Sequence, residues 1–144
     1  MKEEHTIKLL KECDSGAKMG VDSFDLVLKY IKNEELRNII NETRLDHLDT
    51  LKKIKEQLNI YSSEGKDPNM IISEMSKIKM TIELSFNDSD SKIAKMMMDG
   101  CNMGIKSLYK YMNQYPGANS KVKDLCKRLI SIEDQLRKEL RAYL

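Results

Sequence analysis

Apolar residues recur at steps of three and four through four long stretches of this 144-residue chain, and the alternating runs that make strands are absent. The first stretch, 3–32, carries Leu10, Cys13, Ala17, Gly20, Phe24, Val27 and Ile31 on one face. The second, 34–61, carries Leu36, Ile40, Thr43, His47, Leu51, Ile54 and Leu58. A third, 89–114, carries Ala94, Met97, Cys101, Gly104, Leu108 and Met112, and a fourth, 119–144, carries Val122, Leu125, Leu129, Ile132, Leu136, Leu140 and Tyr143. At about 1.5 Å per residue each makes a rod of roughly 40 Å. Four amphipathic rods of matched length bury their stripes best against one another, so the chain is expected to be an all-α, single-domain antiparallel four-helix bundle.

The connections sort the rods into pairs. Asn33 can cap the second helix directly after the first, with Glu34 and Glu35 favourably placed in its first turn. So short a link makes an antiparallel hairpin, hairpin one at 3–61. Pro116-Gly117 turns the chain within hairpin two, 89–144. Between them, 62–88 opens with the loop Ser62–Asn69 and continues as a shorter crossover helix, about 68–86, with Ile71, Ile72, Met75, Ile78, Ile82 and Phe86 on one face. Asn87 to Ser91 then offers several N-caps.

The two hairpins echo one another. Gly16-Ala17-Lys18-Met19-Gly20-Val21 reappears as Gly100-Cys101-Asn102-Met103-Gly104-Ile105, followed at the same offset by Phe24 and Leu108. Glycine inside a helix costs about 1 kcal/mol relative to alanine. Its repetition at Gly16, Gly20, Gly100 and Gly104 is read as close helix packing in the core; the flanks are too polar for a membrane dimerisation motif.

Composition narrows the function classes. Lys and Arg number 25 against 23 Asp and Glu, with the signs interspersed, so even the basic stretch 121–141 reads as a solvated helix face and not as a nucleic-acid stripe. Eight aromatics (six Tyr, two Phe) and no Trp supply no stacking platform. No stretch is apolar enough to span a membrane. The charged start Met1-Lys2-Glu3-Glu4-His5 has no apolar signal core. Cys13, Cys101 and Cys126 are odd in number and lack CxxC spacing, which suggests reduced core thiols and a cytoplasmic setting.

Two antiparallel hairpins joined by a long crossover is the ferritin-like arrangement. The pattern from Asp99-Gly100 through Leu108-Tyr109-Lys110-Tyr111, preceded by a polar break and a short helix, resembles the small bacterial ferritin-like domains that are distantly similar to rubrerythrin and to coat F-type spore proteins. That resemblance implies a di-iron centre, and through the coat F branch a spore-associated role.

The ligand set that such a centre needs fails residue by residue. It calls for two inward Glu and two Glu-x-x-His motifs. Arg44 stands three residues before His47 and Lys2 three before His5, so neither motif exists. The inward mid-helix positions hold Ala17, Gly20, Cys101 and Gly104, none a hard oxygen ligand. The bundle midpoint is therefore expected to be lined by short, oily side chains, with no cofactor and no catalytic residues. Asp14 and Glu133, near stripe edges, and His47, within a stripe, are the only groups that could approach an irregular metal site. His47 itself reads as a core imidazole bonded to Thr43, Thr50 or a neighbouring helix. Ten Met, among them Met96-Met97-Met98, read as core filling before soft-metal binding.

Some apolar residues point away from their stripes: Leu45, Met80, Leu84 and Ile130. They are expected to form a second contact layer: either the crossover helix packs across the bundle, or these residues join two copies of the chain. Three readings follow. The first is a non-catalytic structural or interaction bundle working as a homodimer. The second is a metal-binding oxidase or peroxide-protective protein with a divergent site. The third is a small-molecule or lipid carrier using the space between Gly20 and Gly104.

Overall fold

The computed structural model describes residues 2–61 and 89–144. They form four helices: α1 (Lys2–Val27), α2 (Glu34–Ile60), α3 (Asp90–Gln114) and α4 (Ser120–Leu140), the last ending in a 3-10 turn at Arg141–Tyr143. There is no strand among the described residues. The expected crossover helix, with Met80 and Leu84, lies outside them.

Capping follows the sequence. Asn33 Oδ1 accepts from Leu36 N at 3.0 Å and Asn119 Oδ1 from Val122 N at 2.9 Å, each satisfying a donor that a helix start leaves open. Basic side chains in the next turn reach back symmetrically: Arg37 donates to the Ile31 carbonyl, and Lys123 Nζ to the Pro116 carbonyl. α1 is shorter than expected, ending at Val27 and not at Lys32. The chain tightens through Lys29 N to Leu26 O and Tyr30 N to Val27 O, which turns Ile31 into the core at 2% exposure.

Contacts at the two ends fix the helix directions. At one end His5 Nδ1 accepts from Gly117 N at 2.9 Å, Thr6 Oγ1 from Asn119 N at 3.0 Å, and Tyr61 Oη from Asn119 Nδ2 at 2.9 Å. At the other, Asp90 accepts from Lys32 N at 2.9 Å and Asn33 N at 2.7 Å, and Tyr143 donates to Glu35. So α1 and α4 run one way, and α2 and α3 the other. Tyr61 and Asp90 lie at opposite ends, which makes the order of directions up, down, down, up. The helices pack in the ring α1–α2–α4–α3, and α1 also meets α4 across the shorter diagonal.

Asp90 is the bracket that joins hairpin one to the start of hairpin two. Asp90→Ala removes the acceptor for two turn amides at once. It is expected to lower stability by about 1–2 kcal/mol, while Asp90→Asn, which keeps one acceptor, costs less. Urea unfolding of the two variants checks this.

The core falls into two apolar clusters. One holds Leu9, Leu10, Cys13, Ala17, Ile54, Leu58, Leu108, Val122, Leu125, Cys126 and Leu129; the other holds Phe24, Val27, Leu36, Ile40, Ile93, Met97, Cys101, Leu136 and Leu140. A polar layer separates them.

Candidate functional site: a histidine–glutamate pair at mid-bundle

That layer is built around His47. The α2 stripe carries its imidazole inward to 1% exposure, with Thr43 and Thr50 one turn either side, also buried. Both threonine hydroxyls turn back to their own helix, Thr43 Oγ1 to Ile39 O and Thr50 Oγ1 to Asp46 O, so they do not bond the ring. The ring finds other partners. Nδ1 lies 2.9 Å from the Thr43 carbonyl and Nε2 lies 2.8 Å from Glu133 Oε1 on α4.

The proton count follows from the partners. A carbonyl only accepts, so Nδ1 carries hydrogen. The second contact, between a ring nitrogen and a carboxylate oxygen, then needs a proton of its own. Whether that proton sits on Nε2 or on Glu133, the pair is neutral as a unit and both ring nitrogens are committed. Such neutrality is what permits a His–Glu pair at this depth. Phe24 closes one side, its ring edge-on to the imidazole with centroids 5.0 Å apart.

Glycine makes the room. A Cβ built on Gly20 would stand 2.8 Å from His47 Cδ2 and 3.0 Å from Nε2. Gly104 faces the other member of the pair, its virtual Cβ 4.0 Å from Glu133 Cδ. Close packing of helix backbones is therefore not the use of these glycines. Gly16 and Gly100 are exposed, with nothing within 4 Å of a virtual Cβ, and Gly20 yields its space to an imidazole. The same imidazole fills the space once assigned to a carried ligand.

The midpoint is thus polar, which corrects the expectation of a short, oily centre. Register explains the error. His47 lies fourteen residues beyond its N-cap Asn33, and Glu133 fourteen beyond Asn119. The internal repeat therefore extends into the second helix of each hairpin. Equivalent positions of the two copies meet one another at the bundle centre. Counting from the two Asn caps was the signal in the chain that could have paired them.

Cys101 completes the surroundings of Glu133. Its thiol hydrogen-bonds the carboxylate, and it holds its proton far above the usual thiol range because it is buried first and beside the Glu133 charge second. Asp14, the third residue of the irregular metal site, is buried at 3% exposure but is held by Lys18 of its own helix at 2.7 Å. Among the described residues no group of three His, Cys, Asp or Glu is placed to hold a metal ion. The fold brings together His47 and Glu133 but gives Asp14 a different partner.

Of the outward apolar residues, Leu45 is 60% exposed, as expected. Ile130 is not an outer residue: it is 7% exposed and packs in the first cluster, at the floor of a groove of about 440 Å³ with Ile105 and Tyr109. The α4 stripe is wider than the sequence suggested, because α4 packs against three helices. No described helix is long and apolar enough to cross a membrane.

Comparison with family models, with curated proteins and with solved structures gives no match.

Proposed function

We propose that this chain is a non-catalytic helical bundle of ferritin-like type that works through protein contacts, first of all with a second copy of itself. The helix order of up, down, down, up supports the ferritin-like reading, since it requires the crossover of that arrangement. One observation carries the functional part. The residues at the bundle centre satisfy one another: His47 spends both nitrogens, on Thr43 and Glu133, and Glu133 also accepts from Cys101. An ion seated there would have to displace the shared proton and would gain only the His47 nitrogen and the Glu133 carboxylate as ligands.

The outer face of α2 points the same way. Leu45 is 60% and Leu48 37% exposed, one turn apart on a common face. Acidic Glu42 precedes them and basic Lys52 and Lys55 follow, all exposed. Two α2 helices packed antiparallel about Leu45 and Leu48 would set Glu42 of each copy near Lys52 of the other, the self-complementarity a two-fold contact needs.

Two measurements test this. Protein purified without chelator and exposed to ferrous iron, manganese or zinc is expected to retain well under one equivalent per chain by elemental analysis. Stoichiometric metal that is lost in His47→Gln and Glu133→Gln would restore the oxidase reading. Sedimentation is expected to find a dimer that dissociates when Leu45→Glu and Leu48→Glu are combined. A wild-type monomer at every concentration would remove the interaction role.

A further inference from the structure

The outer face between α3 and α4 carries the groove whose floor is Ile130. Ile105 and Tyr109 of α3 form one wall, and the Tyr109 side chain is 52% exposed. Lys127 and Arg137 of α4 stand toward its two ends, which lie roughly 15 Å apart at about 1.5 Å per residue. Arg137 ties the two walls together, with Nη1 donating to Asn102 Oδ1 at 3.0 Å and Nη2 to Asp134 Oδ1 at 2.5 Å. Asp134 also takes Lys138 at 3.2 Å, so the acid in the lining is already matched by two cations.

Charge around the groove is uneven. Lys106, one turn before Tyr109 on α3, and Lys127 on α4 are exposed, and neither pairs with a carboxylate among the described residues. Residues 89–144 carry eleven Lys and Arg against six Asp and Glu, whereas 2–61 carry eleven against twelve. Two of those six acids are spent within the bundle, Asp90 on turn amides and Glu133 on His47.

We propose that this groove is the docking site of a partner protein that presents an amphipathic helix with an apolar face and acidic flanks. The inference rests on the reading of the bundle as a contact protein, and it uses a surface separate from Leu45 and Leu48, since no lining residue belongs to α2. Two antiparallel helices leave a furrow that a third helix enters, burying its apolar side chains against Ile105, Tyr109 and Ile130. A length of roughly 15 Å takes about three turns of such a helix. Tyr109 is the anchor, because a large ring with two side-chain torsions is covered at little entropic cost. Glutamates on the flanks meet Lys106 on one rim and Lys127 on the other, whereas a basic helix would meet them with like charge. A nucleic-acid backbone would engage the lysines and leave the apolar floor unused.

The test uses the full-length protein and a fluorescein-labelled synthetic helix of about twelve residues, with Leu at steps of three and four on one face and Glu on both flanks. Fluorescence anisotropy is expected to give saturable binding at about 10–100 μM. Lys106→Glu combined with Lys127→Glu should weaken it by about tenfold or more, and Tyr109→Ala by about as much. Salt at about 0.5 M should weaken it severalfold. All three side chains are exposed, so the variants keep the fold, which circular dichroism checks. Leu45→Glu with Leu48→Glu should bind the peptide as tightly as the parent does, which separates this surface from the α2 contact. No binding up to about 1 mM would overturn the proposal, as would undiminished affinity of the lysine and Tyr109 variants or of a peptide with Lys in place of Glu. So would capture of duplex DNA or anionic vesicles by a protein that leaves the acidic peptide free. Dissociation of a dimer by Tyr109→Ala would seat a second copy in the groove and overturn it too.

Discussion

Glu133→Leu is expected to lower the folding stability by about 2–4 kcal/mol, His47→Leu by a similar amount, and the two together by clearly less than their sum. Glu133→Leu leaves Nε2 of a 1% exposed imidazole without its carboxylate partner. His47→Leu strips the carboxylate of the group that neutralises it, with only the Cys101 thiol left to donate. Each single change leaves one member of the pair unmatched, the imidazole at 1% exposure or the carboxylate at 14%. The double change removes both polar groups and offers apolar volume to the clusters on either side, so the coupling should favour it by about 1–3 kcal/mol. Glu133→Gln separates the hydrogen bond from the charge. A carboxamide N–H can still donate to Nε2, so this variant should stay within about 1 kcal/mol of the parent. Denaturant unfolding of the four variants decides the matter. A strictly additive double variant would mean that the pair is not a unit.

The second large effect concerns a methyl group. Gly20→Ala is expected to cost about 1–2 kcal/mol net. The new Cβ would stand 2.8 Å from an imidazole that two hydrogen bonds and Phe24 hold in place, so α1 must shift or the ring must rotate away from Glu133. Overpacking of this kind costs about 1–3 kcal/mol. The helix propensity of alanine returns about 1 kcal/mol of that. Gly104→Ala meets only ordinary contact, and Gly16→Ala and Gly100→Ala meet open space. These three should stabilise the protein by up to about 1 kcal/mol each. The four glycines look equivalent in the repeat, so a difference in sign among them is a sharp outcome. Adding Gly20→Ala to His47→Ala should cost nothing, since the obstructing ring is gone. Equal behaviour of all four in thermal melts would show that the imidazole does not fill the Gly20 notch.

Much of the fold was legible because its causes are local. The steps of three and four mark the helix faces, Asn33 and Asn119 sit where helices begin, and Pro116-Gly117 marks the second turn. His47 was legible as a core imidazole, because it stands in the middle of a stripe. Glu133 stands at a stripe edge as read, at 14% exposure, whereas Ile130, read outside the stripe, is buried. Ile130 and Glu133 are three residues apart and share a ridge of α4. Judged by its strongest apolar line alone, α4 appears to turn Ile130 outward and to leave Glu133 at the margin.

The sequence by itself determined the helices, their caps, the pairing into two hairpins and the inward position of His47, since each depends on neighbours within a few turns of one chain segment. Only the tertiary structure decided that Glu133 meets His47 and that Gly20 and Gly104 flank them. Those contacts depend on how far hairpin two slides and rotates against hairpin one. Many side chains packing at once set that placement, and no periodicity within a single helix records it.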